Sequence, residues 1–385
     1  MRVLYTNHTG HVSGAEEALI DLVRSLPEST EMLAATPAGP LAGRLRDAGL
    51  PVHEIPATDG SLRLHPVQTP RALAELAAAG LAVARIARRE RADVVHANSI
   101  RAGLSAVLAA RAGAPRPVVH VHDCLPRGTV TRLTQGTIGR GAGVIVANSR
   151  HSAERFADPR PRAPLRVVYY GVDTERFDPS RLDRDHARAR LGLGDDEVAL
   201  AVVGQLTPWK GQDHAIRVLA RLAPEHPELR LLLAGSAKFV SRATRFDNQS
   251  YVRHLHGLAA DLGVADRVRF VGQVADVPQL LSAVDVALVP SWEEPFGRAV
   301  TEALAMRVPV VATNVGGPGE VVRAGEDGYL APPTDVAAWT RAVERLAADP
   351  ALRRDMGTRG RRHVTEAFPM DKFAAGMLDS YAMAR

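Results

Sequence analysis

Short runs of Val, Ile and Leu, each bounded by turn residues, recur along the chain and alternate with segments of helical periodicity. In the first half these runs are RVLYTN, EMLAAT, VHEIP, DVVHANS, PVVHVHD, GVIVANS and LRVVYYG, with segments such as GAEEALIDLVRSL between them. Such runs predict strands, and the intervening period predicts helices. Regular alternation of strand and helix is typical of a parallel sheet covered on both faces, so this half predicts a doubly wound α/β domain.

The alternation stops once and then resumes. Residues 171–197, GVDTERFDPSRLDRDHARARLGLGDDE, are rich in charge, Gly and Pro, which is typical of a linker between domains. Beyond them VALAVVGQL, LRLLLAG, VRFVGQV, VALVPS and VPVVATN predict further strands. A chain of 385 residues also exceeds the size at which single cores stop growing. We therefore predict two Rossmann-like domains facing a cleft, residues 1–172 and 173–369, and we expect the last helix, about 370–385, to pack back on the first domain.

Composition limits the class of protein. The chain has no apolar run of eighteen residues and no signal-peptide pattern, and its one cysteine, Cys124, cannot form a disulfide within the chain, so we expect a cytoplasmic protein. The net charge is +5, but the arginines are dispersed and no aromatic residues alternate with them, so we do not expect a nucleic-acid partner. The densest basic stretch, ARIARRER at 84–91, is either a solvated helix end or a patch for peripheral contact with an anionic membrane.

Lysine is rare: only Lys210, Lys238 and Lys372 occur among the 48 basic residues. Lys210 lies in VVGQLTPWKGQDHAI, just after a strand and just before a helix. Ligands of open α/β sheets bind at the carboxyl ends of the strands, and an ammonium beside a helix N-terminus suits a diphosphate, with Gly211 permitting close backbone approach. The G-x-x-x-x-G-K-[ST] spacing is absent, which argues against a nucleoside triphosphatase. A solvated surface lysine is the plain alternative.

The loop after the first strand, NHTGHVSGAEEALIDL, offers a second candidate phosphate site. Ser13 and Glu16 match the S-x-x-E capping box of a helix, whose N–H groups and positive dipole end suit a phosphate. Gly10 and Gly14 would let the backbone approach a ligand. An ordinary capped helix explains the same residues.

Two histidines share one face of the strand PVVHVHD. Because strand side chains alternate, His120 and His122 point the same way, and His122 reaches the carboxyl end of the strand. The H-x-H-D spacing leaves three interpretations of His122 open: a metal ligand, a satisfied core histidine, or a histidine that contacts substrate. No further metal ligand is identifiable from the sequence.

The stretch VALVPSWEEPFGRAVTEALAM, residues 286–306, places glutamates where core residues are expected. Pro295 suits a first helical turn, and FGRAVTEALAM continues with helical periodicity. On such a helix Glu294 and Glu302 would lie at most about 12 Å apart along the axis and could bind two parts of one elongated ligand. A helix-dipole glutamate with a surface glutamate is the alternative, which fits Glu293 well but fits Glu302, among apolar residues, poorly.

The segments VVGQLTPWKGQ, FVGQVADVPQLLSAVDVALVPSWEEPFGRAVTEALA and VVATNVGGPGEVV, in that order, resemble the retaining glycosyltransferases of family four, which have the GT-B architecture. The E-x7-E motif of that family matches Glu294 and Glu302. In the first domain the resemblance rests on NHTGHVSGAEEAL and VHVHD. It implies a hexosyltransferase that needs neither metal nor cofactor. A sugar would pass from a nucleotide diphosphate donor, UDP-sugar rather than GDP-sugar, to an acceptor hydroxyl with retention of configuration.

The same resemblance implies roles for single residues. Lys210 would neutralise the leaving diphosphate, Glu294 would hold the hydroxyls of the donor sugar, and His122 would lie beside the reacting sugar. Donor-binding roles would fall to Gly14, Gln205, Val274, Phe296, Gly297, Arg298 and Glu302. Many members of the family have an arginine where this chain has Gln205, so the diphosphate would depend more on Lys210, on helix dipoles or on another arginine.

The acceptor is expected on the first domain, where His8, His11, Asn98 and Arg101 lie at or near strand ends. An envelope glycan, a membrane lipid and a small metabolite all stay open as acceptors. Two other classes of protein share the architecture. A nucleotide-sugar 2-epimerase would need acid and base carboxylates that the sequence does not reveal, and a non-enzymatic two-lobed sugar-binding protein would not need the lysine and two glutamates.

Overall fold

The computed structural model describes residues 1–58, 68–157, 160–238 and 246–385. Within them the chain divides into two compact units, residues 1–171 with 370–385 and residues 172–369. Each unit is built on one sheet, and every strand pairing in both sheets is parallel. The predicted doubly wound α/β class is confirmed for both halves of the chain.

The first unit holds a seven-stranded sheet in the order β3-β2-β1-β4-β5-β6-β7. Its strands are β1 (Arg2–Thr6), β2 (Glu31–Thr36), β3 (Val52–Glu54), β4 (Val94–Ala97), β5 (Pro117–Val121), β6 (Val144–Ala147) and β7 (Leu165–Val167). Its helices are α1 (Gly14–Ser25), α2 (Pro40–Asp47), α3 (Gln68–Arg89), α4 (Ile100–Arg111), α5 (Thr129–Gly141), α6 (Arg150–Phe156) and the C-terminal α15 (Met370–Ala384). The strand order reverses between β1 and β4, which is where open sheets of this type bind ligands.

The second unit holds a six-stranded sheet in the order β10-β9-β8-β11-β12-β13. Its strands are β8 (Val198–Val203), β9 (Leu229–Ala234), β10 (Val268–Gly272), β11 (Val286–Val289), β12 (Val310–Thr313) and β13 (Gly328–Ala331). Its helices are α7 (Arg184–Arg190), α8 (Gln212–Leu222), α9 (Asn248–Asp261), α10 (Val277–Ser282), α11 (Arg298–Ala305), α12 (Pro318–Val321), α13 (Val336–Ala348) and α14 (Pro350–Ala367). Here the order reverses between β8 and β11.

Both cores are assembled from aliphatic strands buried on both faces. Leu4, Val95 and Val119 are fully buried in the first unit, as are Leu200 and Val286 in the second. A strand that is covered on both faces has apolar side chains on both sides, so its sequence is a continuous apolar run and not an alternating one. For this reason the apolar runs in the sequence predicted these strands. Three short turns of 3-10 helix, at 179–181, 208–210 and 265–267, complete the described elements.

Two sequence predictions differ from the structure. Residues 171–197 are not an open linker, because they contain α7 and its Arg188 is buried. The Arg188 guanidinium lies 3.2 Å from Asp285 and donates to the carbonyl oxygens of Gly194 and Glu197 at 2.6 Å, so the segment is part of the second unit. Strand β13 was not predicted, since GYLA is short and lies between a charged turn and two prolines.

The C-terminal helix α15 packs on the sheet of the first unit. Tyr381 is fully buried, and its hydroxyl lies 2.7 Å from His96 Nδ1 on β4. Phe373, eight residues before Tyr381 on the same helix, contacts the rings of His120 and Tyr170. No helix of the described ranges is long and apolar enough to cross a membrane.

Candidate active site

A lysine and a glutamate form an ion pair at the carboxyl edge of the second sheet. Lys210 Nζ donates to Glu294 Oε2 at 2.6 Å, and the two side chains are only 20% and 9% exposed. Ser291 Oγ donates to the same oxygen at 2.7 Å, and the Lys210 ammonium lies 4.3 Å from the centre of the Trp209 ring. Charges withdrawn from water in this way are costly unless they are paired and hydrogen-bonded, and both conditions are met here.

The turn that carries Lys210 is tied to the segment that carries Glu294. Residues 208–210 form one turn of 3-10 helix, and Gly211 follows in the left-handed conformation at φ 70°. A Cβ at Gly211 would lie 2.1 Å from the Pro290 carbonyl oxygen, so this glycine permits contact with the end of β11. The Trp292 N–H also donates to the Trp209 carbonyl oxygen at 2.9 Å. The close approach that Gly211 permits is thus to the protein's own backbone.

Glu294 does not lie on a helix, contrary to the sequence prediction. The helix α11 begins at Arg298, after Gly297 at φ 95°, and Pro295 lies outside it. The Glu294 backbone pairs instead with the glycine turn after β12: its N–H donates to the Val315 carbonyl oxygen at 3.1 Å, and its carbonyl oxygen accepts from Gly317 N–H at 2.8 Å.

The glycine turn after β12 fits closely around that segment. A Cβ at Gly316 would lie 2.0 Å from the Glu294 carbonyl oxygen, and one at Gly317 would lie 2.4 Å from the Phe296 Cα. These glycines therefore hold the Glu294 loop in place. Phe296 itself is buried, with its ring 6.0 Å from the Phe368 ring.

Glu302 lies one turn into α11 and pairs with Arg298. Arg298 NH2 is 3.0 Å from Glu302 Oε1, at the i,i+4 spacing of one helix face, and the two side chains are 16% and 14% exposed. A small cavity beside Glu302 is lined by apolar side chains that include Val203, Val277 and Ala299. The glutamate is thus mostly enclosed, as its position among apolar residues suggested.

Gln205 and Val274 lie after β8 and β10. The Gln205 amide donates to the Lys238 carbonyl oxygen at 3.1 Å, and Gln212 donates to the Gln205 carbonyl oxygen at 2.8 Å. Val274, in the loop between β10 and α10, is half-buried. The Gln205 side chain therefore contacts the segment after β9.

In the first unit the loop after β1 is fixed by a buried carboxylate. Glu16 accepts hydrogen bonds from the Ser13 N–H at 2.9 Å, from the Ser13 hydroxyl, and from Asn7 Nδ2 at 3.1 Å. A Cβ at Gly10 would lie 2.2 Å from the Ala38 carbonyl oxygen, so Gly10 is required for packing between loops. Gly14 is different, since a Cβ there would meet nothing within 4 Å.

His122 is held on both sides of its ring. Its Nε2 lies 3.0 Å from Asn98 Oδ1, and its Nδ1 is hydrogen-bonded to the Tyr170 hydroxyl. Since Asn98 Oδ1 can only accept, the Nε2 carries the proton and Tyr170 donates to Nδ1. Burial, with smaller effects from His96 and His8, lowers the pKa of His122 to about 3. At neutral pH the ring is an uncharged hydrogen-bonding group, and a metal could bind it only by displacing one of these partners.

The residues expected on the acceptor side lie after β1 and after β4. His8 Nδ1 lies 2.9 Å from the Ser99 hydroxyl, and Arg101 donates to the Thr58 carbonyl oxygen at 2.9 Å. Burial, together with the charge of Arg101, lowers the pKa of His8 to about 4. Asn98 is buried and reaches back to His122, whereas His11 is exposed on the loop after β1.

Three residues in these clusters were not singled out from the sequence: Ser291, Tyr170 and Trp209. Ser291 lies two residues after β11 and Tyr170 lies three residues after β7, so a search near strand ends for hydroxyl groups would have found both. Trp209 gave no signal beyond its position beside the lysine.

Two doubly wound units, each with its strand order reversed beside the first strand, define the GT-B class of fold. Anabaena HepE, solved in complex with UDP-glucose, has this fold: its TM-score to this chain is 0.85, with 27% identity over 99% of both chains. Residues 12–176 match the family described as glycosyltransferase family 4, and residues 183–363 match glycosyl transferases group 1. The chain belongs to this family of glycosyltransferases.

Relatives within the family have several named activities. A D-inositol 3-phosphate glycosyltransferase of Stackebrandtia nassauensis is 32% identical over 90% of this chain and 76% of its own length. A GDP-mannose-dependent alpha-(1-6)-phosphatidylinositol monomannoside mannosyltransferase of Mycolicibacterium smegmatis is 36% identical over 66% of each protein. The chain spans only 54% of the length of a further relative, the D-inositol 3-phosphate glycosyltransferase of Salinispora arenicola.

Proposed function

We propose that this protein transfers a sugar from a nucleoside diphosphate donor to an acceptor hydroxyl, with retention of anomeric configuration and without a metal ion. The main support for the proposal is the ion pair of Lys210 and Glu294 in a chain that belongs to this family of glycosyltransferases. Its Nζ and Oε2 atoms lie 2.6 Å apart at the carboxyl edge of the second sheet. Departure of the diphosphate develops negative charge, which an ammonium at that edge stabilises.

The contacts of Glu294 fit a role in holding the donor sugar. The hydrogen bonds described for its carboxylate, from Lys210 and Ser291, both reach Oε2, so Oε1 is the oxygen that sugar hydroxyls would approach. Glu302, enclosed beside Arg298, has the acceptor oxygens that a ribose requires. Val274, Phe296 and Gly297 complete the proposed donor site of the second unit through backbone contacts, and Gly14, in the first unit, stays a proposed donor-binding residue.

His122 is proposed to contact the reacting sugar as a neutral group. Its low pKa and its two hydrogen bonds favour this role over that of a general base. The acceptor proton would then pass to the leaving phosphate.

For the donor base we propose uracil. The support is Anabaena HepE, which was solved with UDP-glucose and aligns over 99% of this chain. The mannosyltransferase relative, which is GDP-mannose-dependent, makes a GDP-sugar the second candidate. A thermal-shift panel of UDP-sugars and GDP-sugars decides between them, because a donor that binds the folded state raises the melting temperature.

For the acceptor we propose a polyol that carries a phosphate, as in an inositol phosphate or a phosphatidylinositol. Relatives with 32% and 36% identity are named for such acceptors. Arg101, beside His8 and Ser99 at the ends of β1 and β4, supplies a cation for the phosphate.

Peripheral contact with an anionic membrane is proposed through one face of α3. Leu73 and Leu81 are 61% and 49% exposed, and they share a stripe at i,i+4 spacing with exposed Ala77 and Arg85. Apolar side chains followed by arginines are typical of helices that lie on anionic lipid. Replacing both leucines by aspartate should abolish cosedimentation with vesicles that contain phosphatidylglycerol, whereas Leu262→Asp, at an exposed site of the second unit, should not.

Acceptor-dependent release of nucleoside diphosphate tests the reaction itself. We expect release from a donor only when inositol 3-phosphate or phosphatidylinositol is added, unchanged by EDTA, and a product whose anomeric configuration by NMR equals that of the donor. Release of nucleotide without acceptor would instead indicate an epimerase or a hydrolase. Sugar binding without any turnover would indicate a binding protein.

A further inference from the structure

Lys238 lies in the segment that follows β9, and this segment is hydrogen-bonded to the turn after β8. Gly204 N–H donates to the Ala234 carbonyl oxygen at 2.9 Å, and Leu206 N–H donates to that of Ser236 at 3.1 Å. A Cβ at Gly235 would lie 1.9 Å from the Gly204 carbonyl oxygen, so the two backbones touch. Residues 235–238 therefore lie at the same strand edge as the turn 204–206.

Two amide side chains fix the position of Lys238 itself. Its carbonyl oxygen accepts from Gln205 Nε2 at 3.1 Å and from Asn248 Nδ2 at 2.6 Å. Asn248 and Gln212 are buried, and their oxygens Oδ1 and Oε1 have no hydrogen-bond partner among the described atoms. Buried acceptors of this kind cost stability unless a hydrogen-bond donor reaches them.

Lys210 also reaches this turn. Its stem passes over Gly204, where an added Cβ would lie 3.8 Å from Lys210 Cε. Two of the three lysines in the chain thus flank residues 204 and 205. Gln205 is the position at which many family members have a positive charge.

The charges near the proposed donor site are already balanced by carboxylates. Lys210 pairs with Glu294 at 2.6 Å, and Arg298 pairs with Glu302 at 3.0 Å. Each pair is close to neutral as a unit, whereas a leaving diphosphate gains negative charge. A further cation at this edge would add to the stabilisation that Lys210 provides.

We infer that Lys238 is a second ligand of the donor diphosphate, in place of the charge that Gln205 lacks, and that Gln205 is a positioning residue that holds the Lys238 backbone. The inference rests on the proposed function, since it assumes a nucleoside diphosphate in the second unit. It assigns a role to the lysine that the family motif leaves out.

Calorimetry with uridine, UDP and GDP on the full chain tests this inference. We expect Lys238→Met to weaken UDP binding about tenfold and uridine binding by less than twofold, because the substitution removes only a phosphate contact. Lys238→Arg should keep most of the UDP affinity, and Lys372→Met, on α15 of the other unit, should leave it unchanged. Gln205→Ala should weaken UDP binding in the wild type but add little to Lys238→Met.

A variant that restores the positive charge distinguishes the loss of a phosphate contact from a structural effect of the substitution. Gln205→Arg in the Lys238→Met background should recover UDP affinity, because it returns a charge to the same turn. Equal UDP affinity of the wild type and Lys238→Met, or equal weakening for uridine and UDP, would overturn the role of Lys238. Failure of the wild type to bind either UDP or GDP would overturn the proposed function, and this inference with it.

Discussion

In the proposed reaction the Lys210 ammonium stabilises the leaving diphosphate, and its only described ion-pair partner is Glu294. We predict that Lys210→Met lowers turnover by about 10²- to 10³-fold, the usual effect of removing one preorganised donor from a site of developing charge. Initial rates at saturating donor and acceptor measure the effect. Lys372→Met, which removes a lysine of α15, is the matched control and should stay within twofold of the wild type. Near-normal turnover of a folded Lys210→Met protein would contradict the assignment.

Glu302 provides a second residue-scale prediction, on binding rather than turnover. Removing its carboxylate takes away the acceptor proposed for the ribose hydroxyls, together with the ion pair to Arg298. We expect Glu302→Ala to weaken nucleoside diphosphate binding about tenfold or more, measured by titration calorimetry. Glu293→Ala, nine positions earlier and outside the proposed machinery, should bind normally. Unchanged affinity of Glu302→Ala would remove Glu302 from the donor site.

At the scale of elements, the loop that carries Glu294 depends on the glycine turn after β12. Gly316 has φ 108°, and a Cβ there would lie 2.0 Å from the Glu294 carbonyl oxygen. We predict that Gly316→Ala lowers the free energy of unfolding by about 1–3 kcal/mol, since it adds both strain and a steric clash. Denaturant unfolding measures the change. Gly14→Ala, where a Cβ meets nothing, should alter stability by less than about 0.5 kcal/mol, and equal effects of the two substitutions would refute the explanation.

Sequence periodicity predicted most strands correctly but not every boundary of the elements. Twelve strands were predicted because their apolar runs are local, and all are present. The start of α11 was misplaced, because Pro295 suits a helix but the bonds of Glu294 to Val315 and Gly317 hold that segment in extended pairing. Residues 171–197 were misassigned as a linker because they are rich in charge, Gly and Pro, whereas the partner Asp285 allows Arg188 to be buried.

At the scale of the whole molecule, buried histidines of the first unit make stability depend on pH. His96 lies between Tyr5 and Tyr381, and His120 packs against His122. Burial lowers the pKa of His96 to about 3 and that of His120 well below its usual range, in line with the lowered values of His8 and His122. These four side chains are neutral in the folded unit at pH 7.

The pKa values of these histidines in the folded chain lie below the unfolded value of about 6.5. At a pH between the folded and unfolded values, the unfolded chain therefore binds more protons than the folded chain. The stability from neutral burial is fully present above pH 6.5 and is lost as the pH falls towards 3–4. At pH 5 the expected loss is up to about 2 kcal/mol for each histidine. Guanidinium unfolding at pH 7.5, 6 and 5 should show a steadily lower midpoint. A constant or rising midpoint would contradict this account.

By itself the sequence determined the two parallel sheets, the family motif and the residues most worth testing, because strand periodicity and E-x7-E spacing are local properties of the chain. Only the tertiary structure determined which side chains contact one another. Lys210 and Glu294, 84 positions apart, meet because β8 and β11 are neighbours in the sheet, and His122 is neutral because burial in the folded unit lowers its pKa. Partners of this kind depend on which strands pair and what is buried between them, and neither is recorded in the spacing of residues along the chain.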